Sequence, residues 1–138
     1  GSPITIAGFD LCVGDIGIDR YELAYLASGS KVAKFLTEAT TELLNFNIET
    51  RGVHMVDLPD AVAVAVALWP EIVKGSVRCH CHCCTEAGPA YGQVIFFQEG
   101  KTYEALPAIK DFNADVITSI DDKMFTDKFM DLIRDSNS

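Results

Sequence analysis

The chain has 138 residues, enough for one domain that buries roughly two-thirds of the surface its unfolded form exposes, so a core without disulfides is within reach. Twenty acidic residues against 11 basic ones give a net charge of −9, and no run of Lys or Arg forms a phosphate-binding stripe, which excludes nucleic acid and anionic membrane as partners. The longest apolar stretch, AVAVAVALW, is far shorter than the roughly 20 residues of a membrane span, and no basic-then-apolar leader opens the chain, so the reading is a soluble, cytoplasmic protein with no membrane partner.

Gly1–Pro3 reads as the remnant of a cleaved tag, and residues 4–138 as a single domain without repeat or linker. ITIAGFDLCV opens on a short apolar run closed by Gly8, which predicts a buried strand, and the following GDIGID predicts a loop. DRYELAYL, Asp19 to Leu26, predicts a short helix that stops at SGS. Ser30 then caps a longer helix in which Val32, Phe35, Leu36, Ala39, Leu43 and Phe46 recur at spacings of three and four and form one apolar stripe.

TRGVHMVDLP predicts a loop, with Asp60 behind Pro59 as the cap of AVAVAVALW, which Pro70 ends. That run is apolar on both faces, so its alternation also suits a strand; the Asp start and Pro stop favour a buried helix. SVRCHCHCC and GQVIFF are two β-prone runs joined by TEAGPAY, whose Gly88 and Pro89 make a hairpin connection, and QEGK is a second turn. ADVITSI predicts a last strand, and DDKMFTDKFMDLIRD a final amphipathic helix with Phe125, Phe129, Leu132 and Ile133 on one face. The fold class is α/β with an antiparallel pair, not a purely doubly wound sheet.

Four of the five cysteines and two of the three histidines fall between Cys79 and Cys84. A strand places Cys79, Cys81 and Cys83 on one face and His80, His82 and Cys84 on the other. His80 and His82 with a cysteine offer a zinc or copper site, yet structural zinc takes four ligands, usually from two separated pairs, and only Cys12 and His54 are left over. Alternate strand residues also sit too far apart for a disulfide, and neighbours point oppositely. The weightier reading is a strand that uses Cys as a small hydrophobe. Cys81 and Cys84 have the spacing of a redox pair but open no helix. HMVDLPD holds His54, Asp57 and Asp60 just ahead of a helix, where an imidazole and two carboxylates suit a hard cation such as calcium; the plainer alternative is a helix cap and a loop histidine.

From this loop outward the sequence resembles the calcium-dependent, inosine-uridine-preferring nucleoside hydrolase family. LPDAVAVAVALWPEIV is similar to its D-x-x-A-x-A-x-x-x-x-P helix, which maps to Asp60, Ala63, Ala65 and Pro70. ITIAGFDLCV is similar to the strand and loop that begin the family's C-terminal half. TEAGPAYGQV resembles its TEGxxTxGQT hairpin, with Gly88, Gly92 and Gln93 in place, and NADVITSIDDKMFTDKFMDLI its closing strand and helix, with Asp121 and Phe125 in register. The resemblance implies the C-terminal part of a nucleoside hydrolase-like open sheet, with helices and an antiparallel hairpin. It also implies hydrolysis of the N-glycosidic bond of purine or pyrimidine ribonucleosides, with Asp60 as a calcium ligand, a homo-oligomer, and a role in nucleoside salvage.

The family's Asp-rich DTDxGxDD strand end, which supplies the general base and most calcium carboxylates, has no counterpart here; Asp10 and Asp15 do not reproduce it. Pro59 also stands where many members carry a His beside the ligating Asp, which leaves His54 as the substrate-binding candidate. Calcium takes about six to eight oxygens, so one carboxylate predicts a weak calcium site and a hydrolase inactive without an N-terminal segment, supplied by the same enzyme or another copy. The alternative is a non-catalytic binding or assembly module that kept the fold and lost the chemistry. A fragment of either kind would expose apolar surface and need a partner.

Overall fold

A computed structural model describes residues 4–12, 16–102 and 111–135; Gly1–Pro3, expected to be a tag remnant, and Asp15 lie outside the described residues. In chain order the elements are β1 (Ile4–Ala7), a single 3-10 turn at Phe9–Cys12, β2 (Gly17–Asp19), α1 (Arg20–Ala27), α2 (Lys31–Arg51), β3 (Met55–Asp57), α3 (Pro59–Leu68), β4 (Val73–Cys83), β5 (Val94–Gln98), β6 (Ala114–Ile120) and α4 (Asp122–Asp135). The main sheet has the order β1-β6-β4-β5, with β1 and β6 parallel and the other neighbours antiparallel. This is the mixed α/β architecture expected, with its antiparallel hairpin at one edge.

Local chemistry starts and stops the helices. Asp19 accepts from the amides of Tyr21 and Glu22 while Glu22 accepts from the Asp19 amide, a reciprocal box that satisfies orphan donors of α1. Ser30 caps α2 through the Ala33 amide, and Gly52 ends it at φ 65°, where a side chain would be strained. Ahead of α4, the Asp121 carboxylate accepts from the Met124 amide and pairs with Lys74 at 3.1 Å. These two contacts, the amide first, hold its carboxyl below the ordinary 3.8. A depressed carboxyl stabilises the fold above its unfolded pKa, and that contribution fades as pH falls through the lower folded value. Asp121→Asn, which keeps the capping oxygen, is therefore expected to lower stability at neutral pH and to flatten the loss of stability in acid; thermal melts from pH 7 down to about 2 check it.

Two apolar clusters form the interior. In the first, Val62, Ala65 and Val66 of α3 meet Leu11, Cys12, Ile72, Ile117, Ile120 and Phe125. In the second, Ile18, Leu23, Leu26, Ala33, Leu44 and Val56 lie between α1, α2 and the β2–β3 pair. Phe129 packs against both and ties them together.

Four expectations are corrected. GDIGID and HMVD are not wholly loop, because Gly17–Asp19 and Met55–Asp57 pair antiparallel as β2 and β3. Strands of three residues are too short for alternation to register. At Gly17 a Cβ would lie 2.8 Å from the Val56 carbonyl oxygen, so the pair closes only over glycine. β1 is half exposed instead of buried, since it pairs on one side only. The cap of α3 is Leu58, because Pro59 takes the first helical position and places Asp60 inside the first turn without a capping bond.

The apolar stripe of α2 faces outward: Val32 is 42% exposed, Phe35 71%, Leu43 46% and Phe46 57%, with only Leu36 partly covered. The helix instead buries Ala33, Leu44 and Asn47. Small residues let α1 come close, the Asn47 amide donates to the Met55 carbonyl at 2.9 Å, and the Thr37 and Thr40 hydroxyls bond to carbonyls of their own helix. A face that reads as polar is thus satisfied locally and can be covered.

Candidate functional site

Asp60 is exposed, in the first turn of α3, where the positive end of the helix favours a carboxylate. Among the described residues it accepts no hydrogen bond and joins no ion pair. It stands at the mouth of an apolar groove of about 280 Å³ between α3 and α4, lined by Val64, Leu68, Trp69, Phe129 and Leu132. Lys128 lies over the ring of Trp69, one of the lining residues, at 5.6 Å and pairs with Glu71 at 2.8 Å.

The other two residues of the HMVDLPD segment point elsewhere. Asp57, at the end of β3, pairs with Arg51 at 3.6 Å, and Arg51 also reaches Asn47 at 3.5 Å. His54 is exposed, and neither it nor Asp57 lines the groove that holds Asp60. Among the described residues no three His, Cys, Asp or Glu side chains gather closely enough to hold a metal ion.

The same holds for the cysteine-histidine run, which forms the outer half of β4 as expected. Cys79 is buried and burial, then the Cys81 and Asp115 charges, pushes its thiol up, so it stays protonated. The His80 Nδ1 is tied to the Asp111 carbonyl at 2.6 Å. Asn113 extends the ladder past the end of β6 by accepting from the Cys81 amide at 2.8 Å and donating to its carbonyl at 3.2 Å. The hairpin then closes as TEAGPAYGQV predicts: Cys84 and Gln93 bond across the loop, and Gly92 turns at φ 82°.

Sheet topology assembles a second polar cleft that the sequence does not announce. Asp10, just past β1, comes beside Thr118 and Ser119 of β6 and Asp122 of α4, in a cleft of about 250 Å³ at the carboxyl end of the parallel strands. Open α/β sheets bind ligands at such ends. Beside it, Cys12 is buried, and that burial, followed by the Asp57 and Asp10 charges, raises its thiol, which leaves it unsuited to nucleophilic work at neutral pH. The signal that could have located this cleft is the polar Thr118-Ser119 pair interrupting the apolar second half of the ADVITSI strand.

Residues 1–127 match the family described as inosine-uridine preferring nucleoside hydrolase. No curated protein matches the chain. Among solved structures, an inosine-guanosine nucleoside hydrolase is similar at 22% identity and a TM-score of 0.72 over 96% of this chain and 39% of that one. A purine-preferring ribonucleoside hydrolase from Gardnerella vaginalis is similar at 22% identity and a TM-score of 0.76, over 96% and 40%. A plant nucleoside hydrolase gives 17% identity and a TM-score of 0.78, over 98% and 42%. These likenesses establish the fold, and the chain spans about two fifths of the length of each of these structures.

Proposed function

The chain belongs to the inosine-uridine-preferring nucleoside hydrolase family, and on that premise we propose that it is the C-terminal portion of an N-ribosyl hydrolase, active only when a further polypeptide segment completes it. The observation that carries this reading is the span of the match: nearly the whole chain fits the family, yet it accounts for about two fifths of the solved relatives. The substrates are purine or pyrimidine ribonucleosides, and the reaction adds water across the bond between ribose and base.

Asp60 is an uncommitted oxygen donor of the kind calcium prefers, but the ion takes about six to eight oxygens. The described residues alone do not make such a site. The rest of the donors and the general base belong to the segment that completes the enzyme. Two surfaces suit that segment. β1 pairs on one side only, although parallel strands are almost always flanked and covered. α3 is apolar on every side, the pattern of a helix buried all round, yet Val64 is 57% and Leu68 60% exposed.

Hydrolysis of inosine and uridine, with and without calcium, is expected for the chain combined with a family N-terminal segment and not for the chain alone. A properly assembled pair that stays inactive would overturn the proposal. It would favour the non-catalytic module, for which the observation is Pro59 in place of the histidine that many members carry. Calorimetry separates the two, since the enzyme binds calcium and ribose once assembled and the module binds neither.

A further inference from the structure

From the outward stripe of α2 we infer that two copies of this chain associate through antiparallel packing of α2 against α2, about a two-fold axis at Ala39. At 3.6 residues per turn Val32, Phe35, Ala39, Leu43 and Phe46 fall within an arc of about 80° and run about 21 Å along the helix. All five are exposed. An amphipathic helix normally turns such a stripe inward, and this one turns it to solvent along most of its length.

The spacing identifies the occupant. The steps along the stripe are three, four, four and three, so the pattern is its own mirror image about Ala39. A two-fold interface is self-complementary, each patch meeting its own copy. With the axis at Ala39, Val32 faces Phe46 of the second copy and Phe35 faces its Leu43, so large meets large at both ends. The smallest side chain sits on the axis, where the backbones come nearest.

Charge agrees with the antiparallel sense. Lys31 and Lys34 lie toward the N-terminal end of α2, whereas Glu38, Glu42 and Glu49 follow them, and all five are exposed. Among the described residues none of the five is ion-paired within the chain. An antiparallel partner brings Glu49 within about 3 Å along the axis of Lys31, and Glu42 equally near Lys34. One contact is unfavourable, because Glu38 lies beside the axis and meets its own copy. The seam stands on α2 alone and does not rest on the hydrolase reading, so its failure would leave that reading untouched.

Sedimentation velocity of the full chain over a concentration series tests it. A reversible monomer–dimer equilibrium is expected. Phe35→Lys, present twice in every dimer, weakens it at least ~30-fold. Lys31→Glu weakens it by roughly 3- to 10-fold, Lys31→Glu with Glu49→Lys restores it to within about 2-fold, and Glu38→Gln tightens it. Every substituted side chain is exposed, so the far-UV spectra remain those of the parent; should Phe35→Lys lose its spectrum, Leu43→Gln takes its place. A chain that is monomeric throughout, a dimer indifferent to both stripe variants, or a Lys31→Glu defect that Glu49→Lys does not repair overturns the inference. Dissolution of the dimer when the completing segment is supplied also overturns it, for then that segment is what covers the stripe.

Discussion

Asp60→Ala in the completed enzyme is expected to lower calcium affinity and kcat/KM together, by at least about 100-fold. Loss of a group that only orients a metal ligand costs about 10- to 100-fold, and a direct carboxylate ligand contributes charge as well as position. Stability should hardly move. The side chain is exposed, leaves the capping of α3 to Leu58, and has no partner among the described residues to strand. A fall in activity with an unchanged melting temperature thus separates a ligand from a structural residue. Asp60→Asn keeps one oxygen and removes the charge, so it should fall between the parent and alanine. Full activity after Asp60→Ala would remove the proposed role of Asp60, and with it the only metal ligand assigned to this chain.

Phe125→Ala is expected to cost about 3–5 kcal/mol, the range for emptying a fully buried aromatic site. Phe125 is 1% exposed and its ring stacks on Phe129 with 5.8 Å between centroids. A domain of this size commonly has about 5–15 kcal/mol in total, so one substitution removes a large share. Its effect should spread further than the cavity, because Phe129 belongs to the packing of both apolar clusters and loses its stacking partner. Urea titration followed by far-UV dichroism gives the change in midpoint. Val64→Ala is the control: Val64 is 57% exposed, and a change within about 0.5 kcal/mol is expected there. A Phe125→Ala midpoint close to that of the parent would mean that the first cluster is less tightly packed than the burial of Phe125 implies.

The elements that the sequence predicts well are those whose pattern is long or whose turn chemistry is specific. The strand ADVITSI is β6 residue for residue, α4 begins within one residue of DDKMF, and Gly88, Pro89 and Gly92 locate the hairpin, Gly92 at a positive φ that few other residues adopt. α2 is present with its Ser30 cap, yet the sense of its amphipathicity is inverted. Periodicity reports an apolar face and is silent on whether that face meets this chain or another molecule. β2 and β3 escape because three residues carry no period. At the site, the place of Asp60 at the head of a helix is legible, whereas its freedom from capping depends on Pro59 occupying the first helical position. The cleft of Asp10, Thr118, Ser119 and Asp122 is illegible for a different reason. Its two halves lie more than a hundred residues apart and are joined only by the pairing of β1 with β6.

That pairing has a further consequence, for the order in which the molecule assembles. Ile4 lies opposite Ala114, so β1 finds its neighbour only across 110 positions of chain. The β4–β5 hairpin, by contrast, closes over a short loop and forms in about 1–10 μs once both strands exist. During synthesis at about 5–20 residues per second, β1 waits roughly 5 to 20 seconds for β6, with its Ile and Thr side chains available to chaperones or to other nascent chains. The sheet is therefore expected to grow from the hairpin side, with β6 docking on β4 and β1 captured last. Ribosome-proximal aggregation, more than weakness of the finished fold, is where substitutions in β1 would first be felt.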